Sequence, residues 1–104
     1  MPQFIVIGRD GTDEGAPERR MAARDAHLQL CAQSVESGNQ LIGAAMTDEA
    51  GKMNGSCMIM DFESRQALEE WLKREPYIAG KVWESVEIIP CKVPDTFAHC
   101  FPRK

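Results

Sequence analysis

No run of this 104-residue chain stays apolar for the roughly 18 residues that a membrane-spanning helix needs, because charged side chains interrupt every stretch. The opening Met1-Pro2-Gln3-Phe4-Ile5-Val6-Ile7-Gly8 lacks a basic segment and is apolar over too few residues for a secretory leader, so export is not expected. Positive charge is in deficit: 12 Lys and Arg face 16 Asp and Glu, a net charge of −4, and no basic stripe offsets it. Nucleic acid and anionic membrane surfaces are therefore poor partners, since both are bound through clustered cations that displace counterions. The four cysteines, Cys31, Cys57, Cys91 and Cys100, include no Cys-x-x-Cys pair, which excludes a zinc knuckle and a thioredoxin-type redox motif. They read as small, mostly buried hydrophobes of a protein in the reducing cytoplasm. Neither a cofactor fingerprint nor a metal-ligand cluster is present, so the chemistry expected is free of cofactor and metal.

What the chain does have is a regular alternation of elements. Gln3 to Gly8 is a short β-branched apolar run bounded by Pro2 and a loop, the pattern of a buried strand. The loop Gly8 to Ala16 carries three glycines and three acids. Asp10, Thr12 and Glu14 imitate the start of a calcium loop, but Met21 stands where its closing glutamate belongs. A phosphate loop would need Gly-Lys-Ser/Thr, which is missing, so the segment reads as a solvated strand-to-helix connection. Pro17 is suited to a first helical turn, and Glu18 to Ser37 then runs without Gly or Pro to the stop signal Gly38-Asn39. At 100° per residue, Met21, Leu28, Ala32 and Val35 form a narrow stripe expected to pack on the sheet, with Arg20, Arg24, His27 and Cys31 along its border.

Gln40 to Met46 and Ser56 to Phe62 predict two strands joined by a polar loop. Ser64 is a suitable N-cap for a helix over Arg65 to Arg74, with Ala67, Leu68, Trp71 and Leu72 on its apolar face. Pro76 to Gly80 predicts one more helical turn with Glu75 at its N-cap, and Val82 to Ile89 a last strand. The order β-α-β-β-α-β is the α+β, ferredoxin-like pattern, a four-stranded antiparallel sheet with both helices on one face. Residues 1–93 make up that domain and 94–104 a tail, whose composition does not decide whether it caps the domain, crosses to another subunit or stays mobile. Phe4, Val6, Leu41, Met58 and Met60 belong to strands that are apolar on both sides. Helices cover only one face, so a second copy of the chain is expected on the other, as a homodimer.

With two histidines, the choice of a near-neutral acid or base is short. His99 sits in the tail segment Phe97-Ala98-His99-Cys100-Phe101, which reads as an apolar docking patch, and Cys91, His99 and Cys100 match no standard metal spacing. His27 lies one turn from Arg24 and two from Arg20, whose guanidinium groups favour an anionic ligand and disfavour imidazolium. The pattern allows a base, or a helix histidine bonded to a backbone carbonyl.

Arg24-Asp25-Ala26-His27-Leu28, Gly38, the strand Leu41-Ile42-Gly43-Ala44-Ala45, Gly55-Ser56, Trp71 and Glu75-Pro76-Tyr77 before Gly80, in this order and spacing, resemble the YciI family, the YCII-related domain, over roughly residues 3 to 92. The resemblance implies the dimeric α+β barrel built from ferredoxin-like subunits. It also implies an active site centred on His27, with the acid of an Asp-Pro-Tyr motif as its partner. Here that acid is Glu75, one methylene longer, and Gly43-Ala44-Ala45 stands where the family often has Gly-Pro. By the same analogy Arg24 and Ser56 line the cavity, and Arg20 and Tyr77 complete the candidate substrate-binding set. A dehydrochlorinase of a chlorinated hydroxyquinol belongs to the family.

Together these features predict a small-molecule lyase or isomerase in which His27 is the general base, Glu75 orients it, and Arg24 with Ser56 holds an anionic oxygen. The alternatives are a noncatalytic domain that binds or senses a small ligand in the same pocket, and an interaction module in which only the dimer face matters.

Overall fold

A computed structural model describes residues 2–100. The elements are β1 (Gln3–Asp10), α1 (Ala16–Ser37), β2 (Gln40–Thr47), β3 (Met53–Asp61), α2 (Arg65–Leu72), α3 (Pro76–Ala79) and β4 (Trp83–Cys91), followed by a 3-10 turn over Asp95–Cys100. The strands form one sheet in the order β2-β3-β1-β4, every neighbouring pair antiparallel. This is the ferredoxin-like α+β arrangement that the element order predicts. Residues 101–104, the end of the predicted tail, lie outside the described residues.

Local chemistry sets most of the boundaries. Gly38 ends α1 in the left-handed region at φ 87°, where its N–H reaches back to the last turn and a Cβ would be strained. Ser64 Oγ accepts from the Ala67 N–H at the start of α2, and the Glu75 carboxylate accepts from the Tyr77 N–H at the start of α3. The strands run longer than their apolar patterns suggest. β1 continues to Asp10 because Arg9 and Asp10 still find partners in β3 and β4. β4 continues through Pro90, which an edge strand tolerates because a missing N–H on the outer side breaks no ladder bond.

One expectation fails. Met21, Leu28 and Val35 are 59%, 45% and 52% exposed, so the apolar stripe does not pack on the sheet. The helix instead buries Ala16, Arg20, His27, Leu30 and Ser34. The physical reason is that three of these are polar but each finds a partner. Arg20 reaches Asp10, His27 reaches Glu75, and the Ser34 hydroxyl accepts from the Trp71 indole N–H while donating to the Leu30 carbonyl. A buried polar group that is hydrogen-bonded loses most of its burial penalty, so apolarity alone does not choose the inward face.

The core lies between the helices and one sheet face. Phe4 and Val6 of β1, Met58 and Met60 of β3, and Trp83 of β4 meet Leu30, Leu68, Trp71, Leu72 and Tyr77 from the helical layer. On the other face Ile5, Ile7, Cys57, Ile59, Ile89 and Cys91 are only half-buried and Ile42 is exposed. Part of that face forms an apolar cleft with Val93, Pro94 and Phe97 of the segment after β4.

Gly8 is required by a close approach. The Trp83 ring lies directly over it, and a Cβ there would collide with the indole. Trp83 in turn touches His27 and Tyr77 edge-on, with ring centroids 6.3 and 5.6 Å away. Gly8→Ala is expected to destabilise the fold by about 1–3 kcal/mol through overpacking. A urea denaturation midpoint that does not move would show that the indole can shift aside.

Candidate active site

The site is a groove of about 380 Å³ between α1 and β2, floored by β3 and lined also by Tyr77 of α3. It exists because β2 is an edge strand whose helix-facing positions are small. Gly43 and Ala45 stand opposite Met58 and Ser56, so α1 is not held against them by large side chains. Among the residues that line it are Arg20, Arg24, His27, Cys31, Ser56 and Tyr77. The structure thus gathers Arg20, Arg24, His27, Ser56 and Tyr77 around one groove, with Glu75 directly behind the imidazole.

His27 and Glu75 are in contact. The imidazole Nδ1 donates to Glu75 Oε1 at 2.7 Å, with His27 8% exposed and Glu75 fully buried. A carboxylate only accepts, so the contact fixes the proton on Nδ1 and leaves Nε2 for other partners. The same Oε1 accepts from the Tyr77 N–H at 3.1 Å, so the carboxylate that caps α3 also aims the histidine. Tyr77 stacks flat on the imidazole, with centroids 3.9 Å apart and planes 13° from parallel. The ring is thereby held by a hydrogen bond at its edge, by a face contact and by the edge of Trp83.

The electrostatics differ from those expected of two arginines beside a histidine. Burial lowers the His27 pKa, but hydrogen bonds to Cys31 and Glu75 and the charge on Glu75 outweigh it and push the value up to about 9. Arg20 exerts little opposing force because its charge is matched. Its Nε donates to Asp10 at 2.7 Å, and both side chains are almost completely buried. The remaining donors of Arg20 go to the Gly55 carbonyl at 2.8 Å, Ser56 Oγ at 2.9 Å and the Tyr77 hydroxyl oxygen at 3.3 Å. Its guanidinium also lies over the Tyr77 ring, 4.7 Å from the centroid. Arg20 therefore sets Ser56 and Tyr77 in place, with few donors left for a ligand. Arg24 is the contrast: half-buried on the groove wall, it has no hydrogen-bond or ion-pair partner among the described residues. Burial pushes the Tyr77 phenol up, which keeps it neutral.

Sequence reasoning missed three members of the site. Asp10 read as part of a solvated loop, and only the β1 register shows it buried against Arg20. Gln40 starts β2 with its side chain 4% exposed on the groove, and its Oε1 has no hydrogen-bond partner among the described residues. Cys31 follows His27 by one helical turn, and its Sγ lies 3.5 Å from His27 Nε2. The four-residue spacing was a usable signal for Cys31, whereas Asp10 and Gln40 carry no local one. The described residues hold no group of three or more His, Cys, Asp or Glu side chains suited to a metal ion.

Comparison with known proteins assigns the chain to a family and a fold. The profile of the YCII-related domain matches residues 3–92. Protein YciI of Escherichia coli is 30% identical over 95 residues, covering 86% of this chain and 95% of that one. An uncharacterized protein of Haemophilus influenzae is 35% identical over 83 residues, 72% of this chain and 83% of that one. The chain belongs to the YCII-related domain family. Among solved structures, the fold is similar to 5-chloro-2-hydroxyhydroquinone dehydrochlorinase from Burkholderia phenoliruptrix in complex with 2,5-dihydroxybenzoquinone. That match has a TM-score of 0.76 and 17% identity, covering 90% of this chain and 97% of that one. It is also similar to a dimeric ferredoxin-like protein of unknown function from Jannaschia, with a TM-score of 0.52 and 12% identity over 89% of this chain and 100% of that one. The subunit fold is that of the dimeric α+β barrel proteins.

The raised His27 pKa has a thermodynamic consequence. Between the ordinary value of 6.5 and about 9 the folded state binds more protons than the unfolded one, so stability falls as pH rises through this window. The contribution of His27 to the unfolding free energy is expected to be present in full below about pH 6.5 and to decline toward pH 9. His27→Gln removes the titrating ring and should flatten that slope. Equal slopes in the two proteins, measured by urea denaturation across the window, would dissociate His27 from the effect.

Proposed function

We propose that this YCII-related protein is a small-molecule enzyme that transfers protons without a cofactor, a lyase or isomerase of the dehydrohalogenase type, acting on a small anionic or aromatic substrate. The observation that carries the reading is the buried 2.7 Å contact between His27 and Glu75 at the edge of an open groove. A carboxylate that fixes one ring nitrogen and stabilises the imidazolium formed at the other is the arrangement general base catalysis uses.

In this mechanism His27 Nε2 takes a proton from a carbon or hydroxyl of the substrate, and Glu75 stabilises the resulting imidazolium. Arg24 holds an anionic oxygen, and the hydroxyls of Ser56 and Tyr77, positioned by Arg20, hydrogen-bond a second one. In an elimination the electron pair of the broken C–H bond becomes the new double bond while the leaving halide departs with its own pair. The imidazolium then returns its proton to water. Because Glu75 and Cys31 favour imidazolium up to about pH 9, the basic form is the minor one at neutral pH, and turnover rises on the alkaline side. The likeness to the dehydrochlorinase supports a halogenated hydroxyquinol as the first substrate class to test.

A second reading rests on the same electrostatics. Imidazolium at His27 and the unpaired Arg24 give a net negative protein a positive groove, which suits reversible binding of a small anion by a noncatalytic homodimeric domain. The dimer itself is supported by the half-buried isoleucines of the outer sheet face and by the dimeric relatives of the same fold. A second copy seated on that face covers the apolar surface that one subunit leaves open. Four unpaired cysteines suit a reducing cytoplasmic setting. No helix among the described residues is long and apolar enough to cross a membrane.

Two measurements test these readings. Sedimentation at micromolar concentration should give a mass about twice the 11.6 kDa of the chain, and a monomer would overturn the sheet-face argument. Halide release from chlorinated hydroxyquinols should fall by about two to four orders of magnitude in His27→Ala. Turnover that survives the substitution removes His27 as the base. Saturable binding of the hydroxyquinol with no halide released favours the binding domain.

A further inference from the structure

The imidazole that Glu75 orients has a second neighbour which the proton-transfer reading does not use. Cys31 lies one turn after His27 on α1, and its Sγ is 3.5 Å from Nε2, the ring nitrogen that Glu75 leaves open. Glu75 Oε1, the imidazole and Cys31 Sγ thus form a chain of three groups, carboxylate to ring to thiol. This is the order in which a nucleophile, its base and an orienting acid are arranged in covalent catalysis. The thiol is half-buried, not cross-linked, and lines the same groove as Arg24.

The other cysteines show what is special about this one. Cys57 and Cys91 stand on the opposite sheet face, with no imidazole contact among the described residues. Cys100 does approach a histidine, 3.4 Å from His99 Nε2, but both are exposed at the end of the chain and no carboxylate stands behind the ring among the described residues. Among the described residues, only at Cys31 does a ring fixed on three sides, by Glu75, Tyr77 and Trp83, meet a sulfur inside a groove.

We propose that Cys31 is a nucleophile of the groove, paired with His27, that adds to an electron-poor conjugated carbonyl compound bearing an anionic group held by Arg24. In this step the sulfur lone pair forms a bond to the β-carbon. The C=C electron pair moves toward the carbonyl, whose oxygen becomes an enolate. The imidazolium Nε2–H then supplies the proton to the enolate. The net change is addition of S–H across the double bond, so no oxidant or reductant is consumed, and the reverse step regenerates thiol and acceptor. The proposal uses the groove and the His27–Glu75 pair of the preceding reading but not its reaction, because thiol addition is measured without turnover.

The test is the rate of addition of N-ethylmaleimide, a conjugated carbonyl acceptor, to each cysteine of the intact folded protein, followed by peptide mapping from pH 5.5 to 9. A free thiol loses about tenfold in rate per pH unit below its pKa, because only the thiolate reacts. A thiolate held by imidazolium keeps its rate. Cys31 is expected to lose less than about threefold between pH 8 and pH 6 and to outpace the more exposed Cys100 at pH 6 by about tenfold or more. His27→Gln should restore the steep dependence, and Glu75→Gln should weaken the pairing while leaving the ring in place. A tenfold loss per unit at Cys31 in the native protein overturns the proposal whether or not the variants fold. So does an unchanged profile in a folded His27→Gln. Loss of halide release in His27→Ala with an ordinary thiol profile at Cys31 would sink this inference and leave the proton-transfer reading standing.

Discussion

The buried face of α1 is polar at every second turn, and the remaining architecture answers to that fact. Arg20, His27 and Ser34 follow one another at seven-residue spacing, and each is buried. Each takes its partner from a different part of the molecule. Arg20 is satisfied by β1 and β3, His27 by the acid that caps α3, and Ser34 by the indole of α2. Leaving any one of them unpaired inside the protein would cost several times what a typical hydrogen bond contributes. Rotating or sliding the helix breaks all three contacts at once. The polar row therefore fixes the register of the longest element against the other elements, a task that apolar packing performs with less specificity.

The same constraint makes a groove. Because the inward row runs along the β1 and β3 side of the sheet, the apolar stripe of α1 is displaced toward β2, where Gly43 and Ala45 offer nothing large to meet it. Leu28, Ala32 and Val35 then wall an open slot in place of filling a core. The catalytic candidates stand where the polar row borders this slot. Site and fold thus share their groups: Glu75 caps a short helix and aims an imidazole through one oxygen, and Arg20 ties three elements together while placing Ser56 and Tyr77. Glu75 Oε2 is buried without a partner among the described residues, so only one oxygen of this acid carries both tasks.

Charge follows the same logic. The acidic chain surrounds a groove in which the one arginine that is matched by a buried carboxylate, Arg20, is also the one committed to the fold. Arg24, one turn further along α1, keeps its charge for the groove. The shift of His27 is decided by its direct contacts with Glu75 and Cys31, while the charge of Arg20 is already matched by Asp10.

Much of this could be read from the residues. Apolar runs and turn residues located the strands, Gly38 and Ser64 marked helix ends, and Glu75 announced itself as a cap through the proline that follows it. The rarity of histidine drew attention to His27, and its spacing to Arg20 and Arg24 put all three on one side of a helix. These are short-range effects, governed by backbone sterics and by side chains within one or two turns, so the sequence alone determines them. Which side of α1 turns inward was decided only by the tertiary structure. The answer depended on Asp10, Ser56, Trp71 and Glu75 arriving from distant segments to satisfy polar groups that, on local grounds, belong in water. The His27–Glu75 pair spans 48 residues, and the shift that it imposes on the imidazole is a property of that contact. Hydrogen-bond satisfaction is a sum over the whole fold, and no window of sequence contains it.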